Sequence, residues 1–139
     1  MSIKELSFQI EKLIQVLNSE ESKYISSSKL RTLSSTQIHH IDLISHEHNP
    51  TLSELAKALK VTKPTVTNSV DKLEKLGLVF KIQSDDDRRI QHLHLTKKGM
   101  EIAELHDKFH IVFTEKLVSN LNNEEIKQLS AILKKALNE

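Results

Sequence analysis

Residues 61 to 99 constrain the fold of this chain more than any other stretch. They read V-T-K-P-T-V-T-N-S-V-D-K-L-E-K-L-G-L-V-F-K-I-Q-S-D-D-D-R-R-I-Q-H-L-H-L-T-K-K-G. Val66, Val70 and Leu73 recur at helical spacing and predict a buried helical stripe, with Leu76 at its end. Thr62 suits the N-cap, and Pro64 falls in the first turn, where its missing N–H costs nothing. Gly77 suits a C′ position with positive φ. Leu78 to Gln83 and Ile90 to Leu95 then alternate as two strands around a charged Asp-Arg-Arg tip.

Helical spacing governs the rest of the chain. Ile3, Leu6, Ile10, Leu13, Ile14 and Leu17 predict an amphipathic helix from 3 to about 22, with a break near Ser26-Ser27-Ser28. A second helix carries Ile38, Ile41 and Ile44 and stops at His48-Asn49-Pro50, because proline disfavours helix in the residue before it. Thr51 and Glu54 read as a capping box for a short third helix with Leu55, Ala56 and Leu59. After the hairpin, a fifth helix from Thr96 has a stripe of Ile102, Leu105, Phe109, Val112, Phe113 and Leu117. Asn122 or Asn123 caps a last helix. The expected order is ααααββαα, a mainly α chain with a small β-wing.

Composition narrows the function. With 139 residues the chain is one domain of ordinary size, and 2 Gly and 2 Pro fit a mostly helical protein. The absence of cysteine excludes disulfides and thiolate metal sites. No apolar run approaches the roughly 20 residues that span a bilayer, and the N-terminus is unlike a signal peptide, so a cytoplasmic location without membrane contact is expected. Enzymatic chemistry is not expected either. No Ser/His/Asp order, glycine-rich phosphate loop or paired-carboxylate pocket emerges. A net charge of +1 means that attraction to phosphates must come from a local patch.

Such a patch exists. Helices three and four are joined by a tight turn, the arrangement in which the N-terminal part of the second helix enters the major groove of DNA. That part carries Lys63, Thr65, Thr67 and Asn68, with Lys72 a turn further on. The threonines can donate to phosphates or touch thymine methyls, Asn68 can pair with adenine edges, and the lysines neutralise phosphates. At the hairpin tip stand Asp87, Arg88 and Arg89; a guanidinium on a narrow ribbon suits a minor groove, and Asp87 can hold Arg89 extended. Asp85 and Asp86 work against phosphate binding.

These elements together resemble the MarR family of multiple-antibiotic-resistance regulators. The resemblance rests on Leu33-Ser-Ser-Thr-Gln, Leu52-Ser-Glu-Leu-Ala-Lys-Ala-Leu, Thr62-Lys-Pro-Thr-Val-Thr, Val70-Asp-Lys-Leu-Glu-Lys-Leu-Gly-Leu-Val, Asp87-Arg-Arg and Leu95-Thr-Lys-Lys-Gly, in the family's order and spacing. It implies a homodimeric winged helix-turn-helix repressor or activator that binds a pseudo-palindrome in double-stranded DNA, with Arg89 as the wing arginine. It also implies one domain over 1–139, with residues 1–32 and 100–139 as dimerisation helices and 33–99 as the DNA-binding lobe. An effector is implied between the two parts. Lys81 stands where the family often has arginine. Two arguments for a dimer are independent of the resemblance. The terminal apolar stripes exceed what a helix-turn-helix unit can cover, and one half-site gives too few base contacts for useful specificity.

Eight histidines stand out in this plain composition. His106 and His110 are one helical turn apart and can chelate one metal ion. His39 lies on the second helix and Glu21 near the end of the first. Glu21, His39, His106 and His110 would form an O/N₃ tetrahedral set suited to Zn²⁺. The pattern resembles the zinc-responsive branch of the family in its Thr36-Gln37-Ile38-His39 element and its His-x-x-x-His pair. It departs from that branch in having serines around Ser27 where a cysteine is usual. The alternatives are a phenolic or aromatic-acid effector in the family's usual pocket, or no ligand. An alternative of another class is a winged-helix protein–protein module that binds no DNA. His46 and His48 are explained by the C-terminal dipole of their helix, His92 and His94 share a strand face, and His40 has no evident partner.

Overall fold

The computed structural model describes residues 1–139. It contains α1 (Ile3–Ser26), a 3₁₀ turn (Lys29–Thr32), α2 (Ser35–His46), α3 (Leu52–Leu59), α4 (Lys63–Lys75), β1 (Val79–Gln83), β2 (Gln91–Leu95), α5 (Lys97–Leu117) and α6 (Asn123–Leu137). The expected order is present, with the 3₁₀ turn added. That turn, packed against α1 and α5, buries Leu30 completely.

Local chemistry sets most boundaries. Ser34 accepts from the Gln37 amide and Gln37 reaches back to the Ser34 amide, a reciprocal cap for α2. Thr51 and Thr62 cap α3 and α4 by accepting from Glu54 and Thr65. No return bond from Glu54 to Thr51 forms, so α3 has half of the expected box. Helix α2 ends at His46 rather than at His48, because His48 and Asn49 turn into the left-handed region (φ 52° and 61°). This turn drops Pro50 into the core, where its carbonyl accepts from Leu93 in β2.

The core gathers Leu30, Ile41, Leu55, Val70, Leu73 and Leu93, each fully buried, from the middle of the chain. β1 and β2 pair antiparallel with Val79 opposite Leu95 and Gln83 opposite Gln91. Gly77 takes φ 73°, as its C′ position requires. Beyond it the base of the hairpin is clamped to α5: Thr96 donates its amide to Leu78 O (3.0 Å) and its hydroxyl to Gly77 O (2.6 Å).

The ends of the chain differ from this middle. Neither α1 nor α6 buries a single residue, although both carry the apolar stripes expected of them. Phe8 on α1 and Leu137 on α6 are each about two-thirds exposed. The expected stripe of α5 is buried only in part: Ile102 and Phe109 are covered, whereas Val112 and Leu117 are exposed. No helix is long and apolar enough to cross a membrane.

Candidate nucleic-acid interface and histidine cluster

Helix α4 buries Val66, Val70 and Leu73 against α3 and the hairpin. The opposite edge therefore faces outward, and Lys63, Thr65, Asn68 and Lys72 are all exposed on it. Thr67 is a correction. It is half-buried, and its hydroxyl donates to Lys63 O at 2.9 Å, so its proton is committed to the helix. Thr67 can offer a methyl or an acceptor to a partner, but not the expected donor. The Thr65 hydroxyl lies 2.8 Å from that of the cap, Thr62, and keeps one further direction open.

The tip of the hairpin forms the bracket read from the sequence. Asp87 accepts from the Arg89 amide (3.0 Å), from Nε (3.2 Å) and from Nη2 (3.3 Å). These hydrogen bonds hold the Asp87 carboxyl below the usual carboxylate range. The Arg89 side chain is nonetheless 90% exposed, fixed at its root and free at its face. Arg88, Asp85 and Asp86 are exposed beside it.

A tie between the hairpin and α4 was not anticipated. Lys81 on β1 places Nζ 2.6 Å from Asp71 Oδ1 on α4, and its side chain is only 17% exposed. The register sets this up, since Lys81 pairs with the buried Leu93 and shares its face. The ion pair ties β1 to α4, and we expect it to hold the angle between them. Replacing Lys81 by Met keeps the stem but removes the bond. Melts should then show a loss on the order of 1 kcal/mol, and duplex affinity should fall with it. An unchanged affinity would show that the angle is set elsewhere.

The histidine cluster lies where α1, α2 and α5 meet. His106 is 8% exposed, and its Nε2 lies 3.2 Å from both Glu21 Oε1 and His110 Nε2. Two ring nitrogens facing one another need a proton or a cation between them. With metal–ligand distances of about 2.0–2.1 Å, a tetrahedral edge is roughly 3.3 Å, so these donors stand near metal-binding separation. His106 Nδ1 is 3.3 Å from Asp42 Oδ1. A carboxylate on that nitrogen fixes the tautomer and leaves Nε2 free to act as a ligand. Asp42 was missed in the sequence, although it lies one helical turn after His39 and one before His46.

His39 lines the same cavity of about 130 Å³ as Glu21, His106 and His110. It does not join their tight group, however: only Glu21, His106 and His110 bring ligand atoms within 4.8 Å of one another. The expected fourth ligand therefore stands outside the close group. His110 is exposed rather than facing protein. His46 binds the Asp42 carbonyl through Nδ1 at 2.8 Å, which together with nearby carboxylates raises its pKa. His40, which had no evident partner, is buried and lies 2.6 Å from Ser69 Oγ on α4. Burial, and then the neighbouring His39, push its pKa down. His92 binds Asn49 O (3.1 Å), and His94 stacks on Phe80.

Two helices at a tight turn, the second bare along one edge and backed by an arginine-tipped hairpin, define a winged helix-turn-helix protein. The MarR family model matches residues 33–91, which span α2 through the start of β2. The chain is 34% identical to FabT of Streptococcus pneumoniae, solved in complex with DNA, over 97% of this chain and 94% of that one, with a TM-score of 0.81. MepR of S. aureus bound to ethidium bromide is 25% identical over 95% and 94% of the two chains (TM-score 0.72). A MarR family protein from Bacillus stearothermophilus shares the fold at 20% identity over 98% and 93%, with a TM-score of 0.82. The chain belongs to the MarR family of winged-helix regulators, which are transcription regulators and not enzymes.

Proposed function

We propose that this chain acts as a homodimer that reads a pseudo-palindromic operator, with residues 33–99 as the reading lobe and 1–32 and 100–139 as the dimerisation helices. The observation that carries the reading is the pairing of the bare edge of α4 with an Arg89 held extended by Asp87. Lys63, Thr65, Asn68 and Lys72 enter the major groove, Thr67 contributes its methyl, and Arg89 enters the adjacent minor groove with Arg88 on the backbone. FabT, in complex with DNA, supports the same use of this fold. The uncovered stripes of α1 and α6 support the dimer. Two copies of α4 then need a separation of roughly 34 Å to fit successive major grooves.

Control is assigned to the cluster at the junction of α1, α2 and α5. Glu21, His106 and His110 hold a divalent metal, Zn²⁺ by the chemistry of the donors, with His39 rotating in as the fourth ligand and Asp42 orienting His106. A bound metal supplies one compact positive charge that draws the three helices together. A second reading rests on a different cavity. A groove of about 940 Å³ between the 3₁₀ turn and α5 is lined by Lys29, Arg31, Lys98 and Lys108 together with Glu101 and Glu104, an excess of two positive charges that suits an organic acid as effector.

The test is a fluorescence-anisotropy titration on duplex DNA from upstream of the chain's own gene, across a salt series. Affinity should fall steeply as salt rises, through counterion release. No binding even at low salt would overturn the reading in favour of a protein–protein module. Adding Zn²⁺ should change the affinity of the wild type. The His106→Ala/His110→Ala double variant should lose that response, and Asp42→Asn should weaken Zn²⁺ uptake by about 10- to 100-fold. A double variant that responds normally would remove the cluster from the mechanism, and a wild type indifferent to Zn²⁺ but responsive to an aromatic acid would favour the groove.

A further inference from the structure

Helix α2 carries one residue of the histidine cluster's cavity and, directly after it, a residue bonded to α4, about 100° apart around the helix axis. His39 lines the cavity with Glu21, His106 and His110. His40 turns inward, is 8% exposed, and places Nδ1 2.6 Å from Ser69 Oγ. This is the one side-chain hydrogen bond between α2 and α4. Ser69 directly follows Asn68, on the inner side of the edge proposed to read bases. A short bond to a buried partner is directional, and a shift of α2 that would stretch it beyond about 3.2 Å must either move Ser69 or break it.

The other contacts of α2 make it the element that the cluster would move. Asp42, one turn along, binds His106 at 3.3 Å, and His46 lies 3.8 Å from Asp107 on α5. His39 lines the same cavity but stands outside the close group of Glu21, His106 and His110, so it must move if it is to join them. Metal occupancy therefore acts on α2 at His39 and Asp42, on either side of His40 in the sequence. A rigid helix cannot take up that pull without passing it to its neighbours.

We propose that the His40–Ser69 hydrogen bond is the link through which occupancy of the Glu21–His106–His110 cluster sets the pose of α4, making His40 and Ser69 positioning residues for DNA reading. The proposal rests on the metal reading given above. It differs from a general packing role because it predicts loss of coupling without loss of either binding event. A coupling between two sites is a ratio of affinities, and each ligand must shift the other by the same factor.

The experiment measures Zn²⁺ affinity of the free dimer and duplex affinity with and without Zn²⁺, for the wild type and four variants. Ser69→Ala and His40→Leu remove the bond. Ser69→Thr keeps the hydroxyl, and His40→Asn places an amide where Nδ1 stood. In the wild type, Zn²⁺ should shift duplex affinity by a factor within the usual range of about 5- to 150-fold. Ser69→Ala and His40→Leu should take up Zn²⁺ as the wild type does, yet show a factor close to one, while Ser69→Thr and His40→Asn restore it. Removal variants that keep the full factor overturn the link and leave the metal reading standing. A wild type that takes up no Zn²⁺ overturns both. Amide exchange on the wild type needs no variant: Zn²⁺ must slow exchange across Ser69 and its neighbours in α4, and unchanged exchange there also overturns the link.

Discussion

Gly99→Ala is expected to cost more stability than any surface change in this chain. A Cβ built on Gly99 would lie 2.1 Å from the Leu78 carbonyl oxygen and 3.1 Å from its carbon. Backbone, unlike the end of a flexible side chain, cannot step aside. That same oxygen accepts the Thr96 amide at 3.0 Å, so any retreat breaks the clamp between the hairpin base and α5. Overpacking of this kind costs about 3 kcal/mol or more, which for a domain of this size lowers the melting temperature by about 10 °C. Gly77→Ala is the matched control. Gly77 has positive φ but open space around it, so only the left-handed strain of roughly 1 kcal/mol applies. Thermal melts at one protein concentration decide the matter. A Gly99→Ala protein as stable as Gly77→Ala would mean that the clamp yields without cost.

Arg89→Ala is expected to have the largest effect on DNA reading. The guanidinium is held by two hydrogen bonds to Asp87, so its extended pose is set before DNA arrives and little freedom is lost on binding. Removing one specific arginine contact costs about 1–3 kcal/mol. A dimer loses two, so affinity should fall by about a hundredfold or more. Arg89→Lys should recover only part of this, because an ammonium cannot use both Asp87 oxygens in the same planar fork. Asp87→Ala should fall between the two, since the arginine remains but is no longer held. Anisotropy on the same duplex reads all three, and an Arg89→Ala dimer of unchanged affinity would take the wing out of the mechanism.

Much of this architecture was legible from local chemistry. Thr51 and Thr62 each cap the helix that they were expected to start, as does Asn122 of the two candidates, because the partner amide lies two or three residues away. Gly77 and the Asp87–Arg89 bracket were legible for the same reason. What escaped was long-range. The Lys81–Asp71 pair spans ten residues, His40–Ser69 twenty-nine and Asp42–His106 sixty-four. No periodicity encodes such contacts, because each depends on the angle at which two elements cross. Thr67 was misjudged for a local reason: a threonine within a helix can return its proton to the carbonyl four residues back. Of the four-residue metal set, α1 and α5 bring Glu21, His106 and His110 together, while His39 lines the same cavity without joining their close group.

The bareness of α1 and α6 has a consequence for dosage. In the proposed dimer, helices that bury nothing within their own chain gain their burial by association, so their stability depends on protein concentration. Melting temperature should climb as protein concentration rises. When most chains are single, the number of operator-competent pairs grows as the square of the number of chains. A cell that halves its supply of this protein would then lose about three-quarters of its active regulator, which makes copy number an input to the switch alongside any ligand.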